Sequence, residues 1–258
     1  MNINDLKTLK QSGEKITCLT AYDASFAQLF DECNIDIILV GDSLGNVIQG
    51  DKNTLGVSMD DMIYHTQATA KNTNKALLIA DMPYQSYTTA AQTLANAQRL
   101  INAGADMVKF EGGREFEACF KLLQNHNIPV CGHLGLQPQS VLKIGGYKVQ
   151  GRDQHSAERI LTDAKALENW GVKTIVIECV PAKLGKQISQ SLTIPIIGIG
   201  AGVDCDGQVL VSYDMLGITQ NPPKFVKNFL TNSSIQSATK DFIQAVKNRD
   251  FPTDKHSY

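Results

Sequence analysis

The sequence predicts an α/β protein, a single (β/α)8 TIM barrel. Three observations carry this expectation. Short apolar, β-branched runs alternate with longer helical patterns eight times along the chain. Many of these runs are continuous rather than alternating, as strands covered on both faces must be. The chain has 258 residues, against about 250 for one typical barrel. No linker, low-complexity tract or shift in composition divides it, so one catalytic domain is expected over residues 1–258.

The elements follow in order. A short helical pattern at 4–11 precedes the first strand and is placed to cover the barrel floor. Strands are expected at 16–22, 36–42, 76–83, 107–112, 128–135, 174–180, 194–200 and 209–216. Ile37-Ile38-Leu39-Val40 and Ile194-Pro195-Ile196-Ile197 are typical of them. After the second strand, Ser58 followed by Asp61 forms a capping-box signal ahead of Met62 and Ile63. Residues 88–103 place Leu94, Ala97 and Ile101 on one helical face and stop at Gly104. A loop at 136–155, rich in Gly, Lys and Gln, has a length that usually carries function. Ser156 opens a helix with Ile160, Leu161, Ala164 and Leu167 on one stripe, ending at Gly171. Residues 224–248 are helical in pattern and expected outside the barrel.

Composition excludes several classes. The net charge is −2 and no basic run is present, which argues against nucleic acid and membrane-surface partners. No apolar stretch reaches membrane-spanning length, and residues 1–10 lack the apolar core of a signal peptide. A cytoplasmic protein is expected. Its six cysteines are scattered, with no CxxC pair and no zinc spacing, and are expected to be reduced structural thiols.

In such barrels the active site lies at the C-terminal ends of the strands. Polar residues there interrupt apolar runs: Asp42 and Ser43 after strand two, Asp81 on strand three, Lys109 and Glu111 on strand four, His133 on strand five and Glu178 on strand six. One acid at a strand end is commonly a cap or an ion-pair partner. Asp42 could cap the next turn, and Lys109 could pair with Glu111 or Glu178. Two aspartates, two glutamates, a lysine and a histidine on five neighbouring strands exceed that account. Buried charges must be paired or bind a metal. Oxygen donors without a His/Cys cluster favour magnesium over zinc. Gly198-Ile199-Gly200-Ala201-Gly202 resembles the start of a dinucleotide fingerprint, but Val203 stands where the third glycine belongs. A phosphate loop or a tight turn remains for it. His65 and His126 fall in helical segments as surface or packing residues.

Thr20–Asp23 (TAYD), Leu39–Gly45 (LVGDSLG), Ala80–Pro83 (ADMP), Lys109–Gly113 (KFEGG), Pro129–Gly135 (PVCGHLG), Gly145–Gly151 (GGYKVQG), Glu178–Pro181 (ECVP) and Ile197–Gly202 (IGIGAG) together resemble the ketopantoate (3-methyl-2-oxobutanoate) hydroxymethyltransferase family. The likeness runs from about residue 3 to the C-terminus. It implies a barrel of the phosphoenolpyruvate-binding group, assembled as a homodecamer of two pentameric rings. It implies transfer of a hydroxymethyl group from 5,10-methylenetetrahydrofolate to 3-methyl-2-oxobutanoate, through an enolate stabilised by Mg2+, with Mn2+ or another divalent cation as a substitute. Asp42, Asp81 and Glu111 would hold the metal. Asp42, Ser43, Asp81 and Lys109 would contact the 2-oxo acid, with His133 and Tyr22 as further candidates, and Glu178 would be the proton acceptor. Departures from the family pattern at Asn46, Gly56, Val203, Asp204 and Tyr213 touch none of these. The alternative is another Mg2+-dependent 2-oxo acid lyase or mutase on the same barrel.

Overall fold

Eight parallel strands close into a barrel in chain order, the last pairing with the first. The computed structural model describes residues 1–141 and 145–258. The strands are β1 (Ile16–Thr20), β2 (Ile37–Val40), β3 (Leu77–Asp81), β4 (Met107–Glu111), β5 (Val130–Gly135), β6 (Thr174–Glu178), β7 (Ile196–Ile199) and β8 (Gly207–Leu210). The helices are α1 (Ile3–Ser12), α2 (Ala24–Glu32), α3 (Leu44–Val47), α4 (Met59–Ala70), α5 (Ala90–Asn102), α6 (Glu117–Asn125), α7 (Gln154–Asn169), α8 (Ala182–Ser191), α9 (Ser212–Met215) and α10 (Ile235–Lys247). Strand residues are buried almost throughout, which explains the unbroken apolar runs. Among the described residues no helix is long and apolar enough to cross a membrane.

The capping chemistry matches the local sequence. The Ser58 hydroxyl accepts from the Asp61 N–H while Asp61 returns a bond to the Ser58 N–H, closing a capping box on α4. Thr89 caps α5. The N-terminal helix α1 lies at the floor of the barrel. Its Lys10 ammonium bonds the carbonyls of Ser189 and Ile194 and the carboxylate of Asp206, all ahead of β7 or β8. All six cysteines are free and buried.

The expected strands overrun the observed ones by up to two residues at several ends, and three other boundaries differ. The helix read as opening at Ser156 begins at Gln154, because the side chain of Asp153 accepts from the Ser156 N–H and serves as its cap. The strand read over 209–216 is β8 plus the short helix α9. Its apolar run is shared between the two, a division periodicity alone cannot see. The C-terminal helix read from residue 224 starts only at Ile235, with Ser234 as its cap. In the loop expected at 136–155, residues 142–144 lie outside the described residues.

Candidate active site

Strand register decides which side chains meet. Residues paired across parallel strands share a face, and alternate residues along a strand return to it. Asp81 pairs with Lys109, Glu111 with His133 and Gly135 with Glu178. Lys109 and Glu111 are two apart on β4, so both enter the barrel. Asp42, Ser43, Asp81, Lys109, Glu111, His133 and Glu178 all line one cavity of about 970 Å3 at the C-terminal end of the strands.

The Lys109 ammonium donates to Asp81 Oδ1 at 2.5 Å, with both side chains buried. The structural alternative, pairing with Glu111 or Glu178, is not realised; the partner is Asp81, which register sets level with the lysine. Asp81 Oδ2 accepts from the Asp42 N–H at 3.0 Å. The Asp42 side chain does not cap α3, whose start carries no side-chain cap bond. Instead its Oδ2 accepts from the Gln139 amide at 2.8 Å. Burial, then the charges of Asp81 and Glu111, push the Asp42 carboxyl up, against Lys109 and the Gln139 bond. Burial pulls Lys109 down, but Asp81, Asp42 and Glu111 outweigh it and hold the ammonium above its ordinary value.

His133 stands between two acids. Its Nδ1 is 3.4 Å from Glu111 Oε1 and its Nε2 is 3.2 Å from Glu178 Oε2. Neither contact has the geometry of a formed hydrogen bond, so both buried ring nitrogens lack one. Burial and the Lys109 charge lower its pKa. Glu111 and Glu178 raise it further and carry it up to about 9. The two glutamates thus favour the protonated form of the ring.

Four carboxyl groups thus face the Lys109 ammonium and the His133 ring in a buried site, and Asp42 is pushed up to about 7, the mark of an excess of negative charge. A divalent cation balances that excess, and oxygen donors suit a hard one. Among the described residues, however, no three His, Cys, Asp or Glu side chains are gathered into a ligating set. Their oxygens carry other bonds. Both Asp81 oxygens are engaged by Lys109 and the Asp42 N–H, and Glu111 Oε2 accepts from the Gln139 N–H at 3.0 Å. Mg2+ keeps several waters and takes only one or two carboxylates, so these donors fit it without closing as a triple.

Tyr22 is placed differently from the rest. It is buried, lies behind the cavity wall and reaches the site through Ser43, Oη to Oγ 2.8 Å. Burial holds its phenol well above the usual range. His65, read as a packing residue, bonds the Tyr22 carbonyl through Nδ1 at 2.6 Å. Gln139 was missed by sequence reasoning. It is buried, touches two of the acids, and sits in the loop whose length alone signalled function. The glycines after β7 serve close packing: a Cβ on Gly202 would lie 2.6 Å from Ala182 Cβ.

A closed eight-stranded barrel with a buried acid–lysine cluster at the C-terminal rim defines an enzyme of the (β/α)8 class. Comparison with known proteins narrows this. The sequence matches the family model for ketopantoate hydroxymethyltransferase over residues 1–254, and the chain belongs to that family. It is 70% identical, over 100% of both chains, to 3-methyl-2-oxobutanoate hydroxymethyltransferase of Vesicomyosocius okutanii subsp. Calyptogena okutanii (strain HA). It is 68% identical, again over 100% of both, to the enzyme of that name from Ruthia magnifica subsp. Calyptogena magnifica. The same fold occurs in 2,3-dimethylmalate lyase, a PEP mutase/isocitrate lyase superfamily member, with TM-score 0.60 and 14% identity over 84% of this chain and 82% of that one. This last likeness concerns fold alone.

Proposed function

We propose that the protein transfers a hydroxymethyl group from 5,10-methylenetetrahydrofolate to 3-methyl-2-oxobutanoate, forming 2-dehydropantoate for pantothenate and coenzyme A biosynthesis. The observation that carries this reading is the pairing of Lys109 with Asp81, bonded in turn to the Asp42 N–H, in the cavity that Glu178 also lines. It provides cation and anion sites for a 2-oxo acid and a carboxylate free to take a proton. Membership of the family over nearly the whole chain supports the reaction. The lyase or mutase alternative has only a shared fold behind it.

The difficult step is loss of the C3 proton beside the ketone. Asp42 and Asp81, with Glu111 behind them, would hold Mg2+ or Mn2+, which supplies Lewis acidity toward the keto oxygen when bound. Lys109 sets a fixed positive charge against the acid's anionic end. Ser43, positioned by Tyr22, offers a hydroxyl to the same end. Glu178 accepts the C3 proton, a role worth roughly 10²–10⁴-fold, and His133 holds its carboxylate in place. Leu39 and Val176 give the isopropyl group an apolar wall. In the net reaction the C3 hydrogen is replaced by a CH2OH group, its carbon from the folate and its oxygen from water. The working form is a cytoplasmic homodecamer, two pentameric rings, which light scattering tests.

Glu178→Gln is expected to bind 3-methyl-2-oxobutanoate normally and to lose C3 proton exchange, followed by NMR in deuterated solvent. Exchange at the wild-type rate would remove Glu178 as the base. Absence of folate-dependent product from the wild-type protein would refute the assigned reaction.

A further inference from the structure

The cavity is larger than a five-carbon acid requires, and its two sides differ. Its volume of about 970 Å3 is at the upper end of sites for drug-sized ligands, roughly 300–1,000 Å3. The charged groups assigned above all come from β2 to β6. The wall built by β7, β8 and the segments after them is mainly apolar, with Ile199, Val209, Val211, Pro223 and Phe225. One carboxylate stands in it. Asp214, on α9, lines the cavity and is only 8% exposed. Its Oδ1 accepts a bond from the Thr219 hydroxyl. Among the described residues Oδ2 accepts no side-chain bond and no cation pairs with the group. A buried carboxylate so placed is costly unless a ligand matches it.

We propose that this wall is the folate subsite and that Asp214 recognises the pterin ring through the adjacent N–H donors of its 2-amino and N3 positions. The inference rests on the reaction proposed above. A flat heterocycle suits the apolar wall. Its 2-amino/N3–H edge presents two parallel donors to a carboxylate, as a guanidinium does. Thr219, on the same lining, orients the acid. At the mouth of the cavity Lys52, Lys148 and Arg152 have no ion-pair partner among the described residues, and their charge is opposite to that of the folate glutamyl carboxylates.

The test is calorimetric titration of tetrahydrofolate into wild-type and Asp214→Asn protein. The variant should bind it at least about tenfold more weakly, the loss expected for a charge-assisted pair, while its Kd for 3-methyl-2-oxobutanoate stays within about twofold. Wild-type protein should likewise prefer tetrahydrofolate at least about tenfold over its 2-desamino-2-methyl analogue. Unchanged tetrahydrofolate affinity in the variant, or equal affinity for the analogue, overturns the assignment. Should the variant fail to fold, the analogue comparison on wild-type protein decides alone. Wild-type protein that exchanges the C3 proton yet binds no tetrahydrofolate overturns the subsite while leaving the enolate chemistry standing. Wild-type protein with neither property overturns the proposed reaction itself.

Discussion

Gln139 shows how one neutral side chain can organise several charged ones. Its amide donates to Asp42 Oδ2 and to the Met82 carbonyl, its Oε1 accepts from the Tyr87 hydroxyl, and its backbone N–H donates to Glu111. Every donor and acceptor of the side chain is thereby used. Bonds to charged groups contribute about 1.5–3 kcal/mol each. Gln139→Leu is therefore expected to weaken Mg2+ binding by about tenfold to a hundredfold, read by calorimetry. Affinity equal to wild type would show that the two acids hold their places without it. Few features of the sequence single this residue out. It carries no charge, and its role comes from four contacts with residues 28 to 97 positions away.

At the scale of single elements, the start of α4 was legible because its signal is local. The Ser58–Asp61 box spans four residues and needs nothing else to be recognised. Ser58→Ala should cost about 1 kcal/mol, a fall of roughly 2–4 °C in melting temperature for a chain near this size. The hydrogen bonds from Ser58 hold the Asp61 carboxyl below its ordinary value. A depressed folded-state pKa contributes stability above the unfolded value, about 3.9, and loses it as pH falls through the folded value. The gap between wild type and variant should thus be largest at neutral pH and narrow in acid to what the bond from the Asp61 N–H to the Ser58 hydroxyl contributes. Thermal melts across that range measure it, and a gap independent of pH would exclude the Asp61 carboxylate as a contributor. Element ends were less legible. The run from Val209 to Leu216, apolar but for Ser212 and Asp214, changes from strand to helix, because β8 continues only as far as its pairing with β1.

For the whole molecule, closure of the barrel joins residues nearly two hundred positions apart. Ile16 pairs with Gly207 and Leu19 with Leu210. This seam needs glycine: a Cβ at position 207 would lie 2.5 Å from the Ile16 carbonyl oxygen. We propose that residues 1–258 unfold as one unit, since no strand pair can open without breaking the ring. Calorimetry should give a single transition. Gly207→Ala should destabilise the fold by about 1–3 kcal/mol, as overpacking typically does, lowering the midpoint without splitting the transition. Two resolved transitions would contradict a single cooperative domain.

The eight strands, their order and the set of acids at their ends could be read from the sequence alone. Burial on both faces imposes apolar runs, and a charge that interrupts such a run is visible without any neighbour. What only the tertiary structure decided is who meets whom: Lys109 with Asp81 rather than with a glutamate, His133 between two acids, Gln139 beneath Asp42, and Asp214 alone on the apolar wall. Those pairings follow from strand register and barrel closure. They depend on distances through space, which a linear pattern of residue types does not contain.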